Sequence, residues 1–239
     1  MLIISYNYFL FKKKEVWFYD GESLKEGAYN TYCYAYEPFR KTYQRTLHEF
    51  TSCIDLTQSE PALWSKMNRT TRYHVRKCQD LGLVYRCTLQ PSADECIQLA
   101  QSFASFARKK KLHTNRKRIL ALGKMGRIAI TQVLLNNQAL YTHVYLFDDK
   151  RIVLLHSFDN ADVKCECNAN KLLHWLDIIR FKAKGFLIYD LGGVNPESVP
   201  GISRFKLAFG GSMETVNSYT RMSNLMQWAD RLYRALRHG

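Results

Sequence analysis

The stretch FLIYDLGGVNPESVPGISRFKLAFGG, residues 186–211, decides how the rest of this 239-residue chain is read. Its opening, Phe186-Leu187-Ile188-Tyr189, suits a strand, and Asp190 stands at that strand's expected end. Gly192 and Gly193 follow, then a loop punctuated by Pro196, Pro200 and Gly201, then Arg204-Phe205-Lys206, then Gly210-Gly211. Glycine pairs mark places where the backbone takes positive φ or where another group approaches the main chain. Loops fixed to strand ends are where functional groups collect. An acid, two glycine pairs and an Arg/Lys pair in one loop predict a site for an anionic or carbonyl-bearing ligand.

The charge of the whole chain points the same way. Thirty-five Lys and Arg against 21 Asp and Glu leave a formal charge of +14. That excess favours a negatively charged partner: nucleic acid, a phosphorylated or nucleotide-linked molecule, or an anionic membrane surface. The plainer alternative is a solvated basic exterior. Seven cysteines without a framework spacing suggest free thiols in a reducing compartment. Cys165-Glu166-Cys167 is the tightest pair, and nothing at metal-ligand spacing accompanies it, so no metal is expected. No window approaches the roughly 18 apolar residues of a membrane span. The opening MLIISYNYFLFKKK carries its lysines after the apolar run, the reverse of a signal peptide, so a cytoplasmic location is expected.

Upstream of the glycine stretch the chain reads as one α+β domain, with N-terminal strands over 1–58 and a core over 59–239. Lys12-Lys13-Lys14 is read as a hairpin turn, and Tyr32, Tyr34 and Tyr36 alternate along a strand. Pro61 opens an amphipathic helix that Gly82 closes, with Lys66, Arg69 and Arg76 on a basic stripe that has almost no acidic partners. Ser92 and Glu95 form a capping box for the next helix. That helix runs into Arg108-Lys109-Lys110-Lys111, and a further piece carries Arg116, Lys117 and Arg118. From Ile128, Asn136-Asn137 and Asp148-Asp149 divide three β-rich runs into an antiparallel meander. His156 and Ser157 lie near the end of its last strand, His156 reading more naturally as a packed residue than as a base. Asn168 caps a helix that Gly185 closes, a late strand follows the glycine stretch, and a last helix is expected over 224–236.

This order, a meander, a helix, a strand ending in YDLGG, then GISRFKLAFGG, resembles the Fem-type branch of the GNAT N-acyltransferase superfamily. LWSKMNRTTRYHVRKCQDLGL also resembles the helix that precedes the central sheet there, and the likeness covers roughly residues 50–220. The resemblance implies a GNAT-like fold, a mixed, splayed and mainly antiparallel sheet flanked by helices. It implies transfer of an acyl group to an amine of a cell-envelope or polysaccharide precursor or a small metabolite, the acceptor nucleotide-linked in one reading. The run Asp-Asn-Ala-Asp-Val-Lys after Phe158 departs from the coenzyme A signature of ordinary members, so the usual pyrophosphate nest is missing. The anionic donor is therefore open between acyl-CoA, an acyl carrier protein and aminoacyl-tRNA, used as a co-substrate, with no tightly bound cofactor expected.

Within that resemblance Lys206 corresponds to a family Phe-Lys position and is expected to meet the oxyanion or the donor's phosphates. Asp190 is expected either to orient or deprotonate the amine or simply to cap the glycine turn. Gly192 and Gly193 would let substrate approach the backbone. Arg204, Phe205, Lys66, Arg69, Arg76 and Ser157 complete the expected binding set, Phe205 doubling as a core residue. No Ser-His-Asp or Cys-His arrangement is visible, which favours direct attack over an acyl-enzyme. Two other readings compete: a non-catalytic RNA-binding module, and a degenerate Fem-like fold that binds a partner.

Overall fold

The computed structural model describes residues 1–8, 11–19, 30–35, 46–111, 116–221 and 228. Along the chain run β1 (Leu2–Tyr8), β2 (Phe11–Trp17), β3 (Asn30–Ala35), β4 (Thr46–Asp55), α1 (Glu60–Lys66), α2 (Arg69–Gln79), β5 (Val84–Leu89), α3 (Ala93–Lys109) and α4 (Arg116–Lys124). There follow β6 (Ile128–Leu135), β7 (Gln138–Phe147), β8 (Arg151–Asp159), α5 (Ala169–Ala183), β9 (Ile188–Val194), α6 (Pro200–Leu207) and β10 (Ser212–Arg221). The chain divides into two compact units, Met1–Glu49 with Thr215–Gly239, and Phe50–Glu214.

In the first unit β1 pairs antiparallel with β2, β2 parallel with β3, and β3 antiparallel with the end of β10. Tyr8 pairs with Phe11, so the three lysines belong to β2 and not to the expected turn. Lysine accepts extended backbone, and the Gly, Asn or Asp that a tight turn favours is missing there. Buried Glu15 accepts hydrogen bonds from the Tyr6 hydroxyl and from Trp17 Nε1 (3.1 Å). Tyr32 and Tyr34 fall in β3, whereas Tyr36 and, apart from residue 228, the helix expected over 224–236 lie outside the described residues.

The second unit is built on the meander. Asn136 and Asn137 take φ of 49° and 65°, the left-handed pair that a two-residue hairpin needs. Asp148 Oδ1 closes the next turn by accepting from the N–H groups of Lys150 (2.8 Å) and Arg151 (2.6 Å). The strand order is β4-β9-β8-β7-β6-β5, antiparallel throughout except for β8 against β9. The α+β architecture and the mixed, mainly antiparallel sheet are as expected. Helix α5 is buried nearly all round, through Leu172, Leu173, Trp175, Ile178 and Phe181. It packs with Leu63, Val75 and Cys78 of α1 and α2 and with Tyr145 and Tyr189 of the sheet in one apolar cluster.

Two expectations are corrected here. The helix opened by Pro61 is two helices: Met67 is extended, and the Asn68 side chain accepts from Thr71 N–H (2.7 Å) to start α2 afresh. A strong N-cap residue in mid-pattern breaks a helix that hydrophobic spacing alone would continue. Cys78 and Cys167 are not free thiols: they form a disulfide that ties α2 to the segment before α5, across 89 residues of sequence. Spacing along the chain carries no sign of a pair that only folding brings together. Among the described residues no helix is long and apolar enough to cross a membrane.

Candidate active site

Strands β8 and β9 pair over three positions only, Arg151 with Ile188, Ile152 with Tyr189 and Val153 with Asp190. Beyond that point each continues without the other. Both carry an irregularity where they part. On β8 the register against β7 shifts between His156 and Leu154, which turns His156 and Phe158 toward Phe103 of α3 (4.4 and 5.3 Å between ring centroids). His156 Nε2 also lies 3.3 Å from Arg118 Nη1, so this histidine is a packed, partnered residue. On β9 the pairs Thr51–Gly193 and Cys53–Asp190 leave Leu191 and Gly192 opposite the single residue Ser52.

That bulge corrects the sequence reading, which ended the strand at Asp190. Asp190 is inside the strand and fully buried. Its Oδ1 accepts from the Thr51 hydroxyl and from Gly192 N–H (2.7 Å), and its Oδ2 from Arg151 Nη1 (3.3 Å). Arg151 reaches on to Glu214 Oε2 (3.2 Å). Gly192 sits at φ 76°, and a Cβ there would stand 3.0 Å from the Leu154 carbonyl oxygen. The glycine is thus required twice, by its backbone and by the approach of β8.

Arg204, Phe205 and Lys206 belong to helix α6 rather than to a loop. Buried Ser203 anchors that helix by accepting from Asn195 N–H (2.9 Å). Lys206 Nζ donates to the Gly193 carbonyl (2.7 Å). Tyr189 and Leu191 belong to the cluster around α5, so by strand alternation Asp190 faces the other way. Asp190 and Lys206 therefore bracket the same two glycines, one taking an N–H and the other giving to a C=O. Burial pulls the Lys206 ammonium below the usual lysine range, and the Asp190 carboxylate opposes that shift.

The second glycine pair brings in the basic helices. A Cβ at Gly210 would lie 2.6 Å from Lys66 Cβ and carbonyl oxygen, and one at Gly211 would lie 2.7 Å from Ser52 Oγ. Asn68 N–H donates to the Ala208 carbonyl (3.0 Å). Exposed Lys66 and Arg69 consequently stand beside the end of α6. Arg76 is farther along α2, its guanidinium 5.3 Å from the Trp64 ring centre. Arg204 is exposed and, among the described residues, donates to Pro200 O of its own helix (3.4 Å). Phe205 packs on Phe209 (5.4 Å) and His174 (5.6 Å). Ser157 is exposed on β8, opposite His143.

Behind α6 lies a buried polar network that the sequence reading missed. Asp177 accepts from Tyr85 (2.9 Å), Thr131 (3.0 Å) and Tyr145 (2.6 Å), and His143 Nδ1 lies 2.8 Å from its Oδ2. The Tyr145 hydroxyl is 2.8 Å from that of Tyr189, which is 2.7 Å from His174 Nδ1. Tyr189 both donates and accepts only if protons point from His174 Nδ1 to Tyr189, on to Tyr145, and then to Asp177. Burial pushes both phenols well above their ordinary range, with Asp177 acting the same way. Burial also drives the His174 imidazole well below its ordinary value, with His143 and Lys206 adding to the shift. A signal existed in the sequence: His174 and Asp177 fall three apart in the apolar run LLHWLDII. Among the described residues no group of three or more His, Cys, Asp or Glu is placed to hold a metal.

No family model and no curated protein sequence matches this chain. Solved structures do. FemX superposes with a TM-score of 0.58 at 12% identity, covering 75% of this chain and 63% of that one. The C-terminal domain of a putative lysylphosphatidylglycerol synthetase from Agrobacterium fabrum superposes with a TM-score of 0.56 at 12% identity, covering 82% and 69%. L-PGS from Bacillus licheniformis gives 0.53 at 11% identity, covering 75% and 62%. This chain thus spans under two thirds of the FemX and L-PGS chains. Its fold is the one shared by FemX and these lysylphosphatidylglycerol synthetase structures.

Proposed function

We propose that this protein is an acyl- or aminoacyltransferase. It moves an acyl group from an anionic activated carrier (acyl-CoA, an acyl carrier protein or aminoacyl-tRNA) to an amine of a cell-envelope or polysaccharide precursor or a small metabolite. The observation that carries the reading is Lys206, a partly desolvated ammonium held on the Gly193 carbonyl where β8 and β9 part. The fold shared with FemX supports it.

In the reaction the amine nitrogen attacks the donor's carbonyl carbon, forming a C–N bond. The amine gives up a proton, the C–O or C–S bond to the carrier breaks, and the carrier leaves with a proton. Lys206 meets the negative charge on the carbonyl oxygen or on the donor's phosphates, which a preorganised cation in a water-poor site does well. Lys66, Arg69 and Arg204 supply exposed positive charge to an anionic carrier. Asp190 touches no substrate in this scheme. With both carboxylate oxygens engaged, it is a positioning residue that shapes the glycine bulge.

The test is a donor panel with mass-spectrometric detection of the acylated amine. Lys206→Met keeps the stem and removes the charge, and is expected to lower turnover by about 100- to 1000-fold with the fold intact. Turnover at the wild-type rate in Lys206→Met, or no transfer from any of the three donor classes, would overturn the proposal.

A further inference from the structure

A concavity lies away from Lys206, between the last turns of α3 and strands β6, β7 and β8. It encloses about 240 Å3. Its floor is aromatic, Phe106 and Phe158 with ring centroids 5.6 Å apart. Its walls are polar: Ser102 and Ser105 from one side of α3, Gln132 from β6, and Asp159 from the end of β8. Gln132 Nε2 donates to Thr142 Oγ1 (3.2 Å), which leaves the amide oxygen to accept from something else. A serine inside a helix commonly bonds back to its own chain. Ser102 and Ser105 do not, and neither they nor Asp159 has a side-chain hydrogen-bond partner among the described residues. Lys109 and Asp162 close one rim with an ion pair of 2.8 Å.

We infer that this cleft binds a single neutral sugar ring. Three properties select that class. The volume is below the roughly 300–1000 Å3 of sites that hold drug-sized ligands, so one six-membered ring fits and a nucleotide or coenzyme does not. The lining combines an aromatic floor, suited to the apolar C–H face of a ring, with unpartnered donors and acceptors spread around its edge, suited to several hydroxyl groups. The charge is balanced: Lys109 and Lys110 stand against Asp159 and Asp162. In a chain carrying +14, a cleft with two carboxylates in its wall is the wrong place for a phosphate or a nucleic-acid strand.

This inference is independent of the transfer reading, because it concerns equilibrium binding at a different place. The experiment is ligand-observed NMR and calorimetry on the whole chain with glucose, N-acetylglucosamine and glucosamine, alongside glucose 6-phosphate and AMP. A neutral sugar is expected to bind with a dissociation constant in the millimolar range. Ser105→Trp fills the cleft from an exposed helix position and is expected to weaken that binding by about tenfold or more, as is Phe106→Ala. Lys206→Met is expected to leave it unchanged, so failure here and failure of the transferase proposal are told apart. Glucosamine binding tighter than glucose would place an ammonium on Asp159 and overturn the assignment to a neutral ring. Absence of sugar binding at millimolar concentration, affinity unaffected by Ser105→Trp, or tighter binding of AMP and glucose 6-phosphate than of glucose would overturn the inference.

Discussion

Replacing His174 by Asn isolates the buried network from the rest of the molecule. The Asn amide N–H stands near the place of Nδ1 and can still donate to the Tyr189 hydroxyl, but it does not titrate. His174 is 1% exposed, and its environment holds the imidazole well below its ordinary value. The unfolded chain has no such restraint and takes up a proton near an ordinary histidine value of about 6.5. The sign follows: below that value the unfolded state binds a proton that the native state refuses, so stability falls as the pH falls. For a native ring that stays neutral down to about pH 5.5, moving there from about pH 7.5 costs the wild type up to about 1.4 kcal/mol through this one group. His174→Asn lacks that loss. Carboxylates and histidines remote from His174 contribute to both proteins and cancel in the comparison. Urea unfolding followed by tryptophan fluorescence suits the measurement, because Trp64 and Trp175 meet edge to face at 4.9 Å beside α5. The expected result is a shallower pH dependence in His174→Asn, by up to about 1.4 kcal/mol over this range, with unchanged denaturant slope. Parallel pH dependences would mean that the native ring takes up its proton as the unfolded chain does, and would refute the reasoning from burial.

The close packing at the second glycine pair predicts that Gly210→Ala destabilises by about 2–4 kcal/mol, from a left-handed backbone and overpacking together. Gly82→Ala, at φ 64° with nothing within 4 Å, loses only about 1–2 kcal/mol from the backbone term, and urea midpoints of the pair check the difference. The disulfide predicts that Cys78→Ser, or reduction of the wild type, lowers stability by about 2–4 kcal/mol, measured by unfolding with and without reductant. A wild type indifferent to reductant would show that Cys78 and Cys167 are thiols.

Patterns local in sequence were legible, and those that depend on three-dimensional neighbours were not. The meander could be read because its turns sit on Asn136-Asn137 and Asp148-Asp149, where backbone chemistry is local. The convergence on the Gly192–Gly193 segment was readable for the same reason: acid, glycines and lysine fall within 17 residues, 190–206. The strand's true end was not. Glycine is a poor strand former by propensity, and only the pairing of Gly193 and Val194 with β4 carries β9 through the bulge. Arg204-Phe205-Lys206 looked like loop because Pro200 and Gly201 precede it, yet proline is at home in the first turn of a helix. Arg151 and Thr51, which hold Asp190, lie 39 and 139 residues from it, and no spacing rule reaches that far.

The parting of two strands creates a problem that the residues around it answer in different ways according to burial. Backbone groups freed from a ladder must find partners. On the buried side the answer is permanent: Asp190 takes the Gly192 N–H, and Thr51 and Arg151 hold the carboxylate so that it has no freedom to turn. On the accessible side it is provisional. Gly193 is exposed, so water can replace Lys206 at its carbonyl at small cost, and the ammonium can leave. An anionic oxygen is a stronger partner for that ammonium than a neutral carbonyl, since both members of the new pair are charged. On the proposed reading, the bond from Lys206 to Gly193 is a resting position: it aims the cation at the opening between β8 and β9 until a donor displaces the contact. The same argument explains why the two charges of the glycine segment differ in role. Asp190 is buried and takes hydrogen bonds from Thr51, Arg151 and Gly192 with no solvent to replace them, and on this reading is fitted to hold shape. Lys206 has an exchangeable contact with the Gly193 carbonyl and a partly desolvated charge, and on the proposed reading is fitted to act.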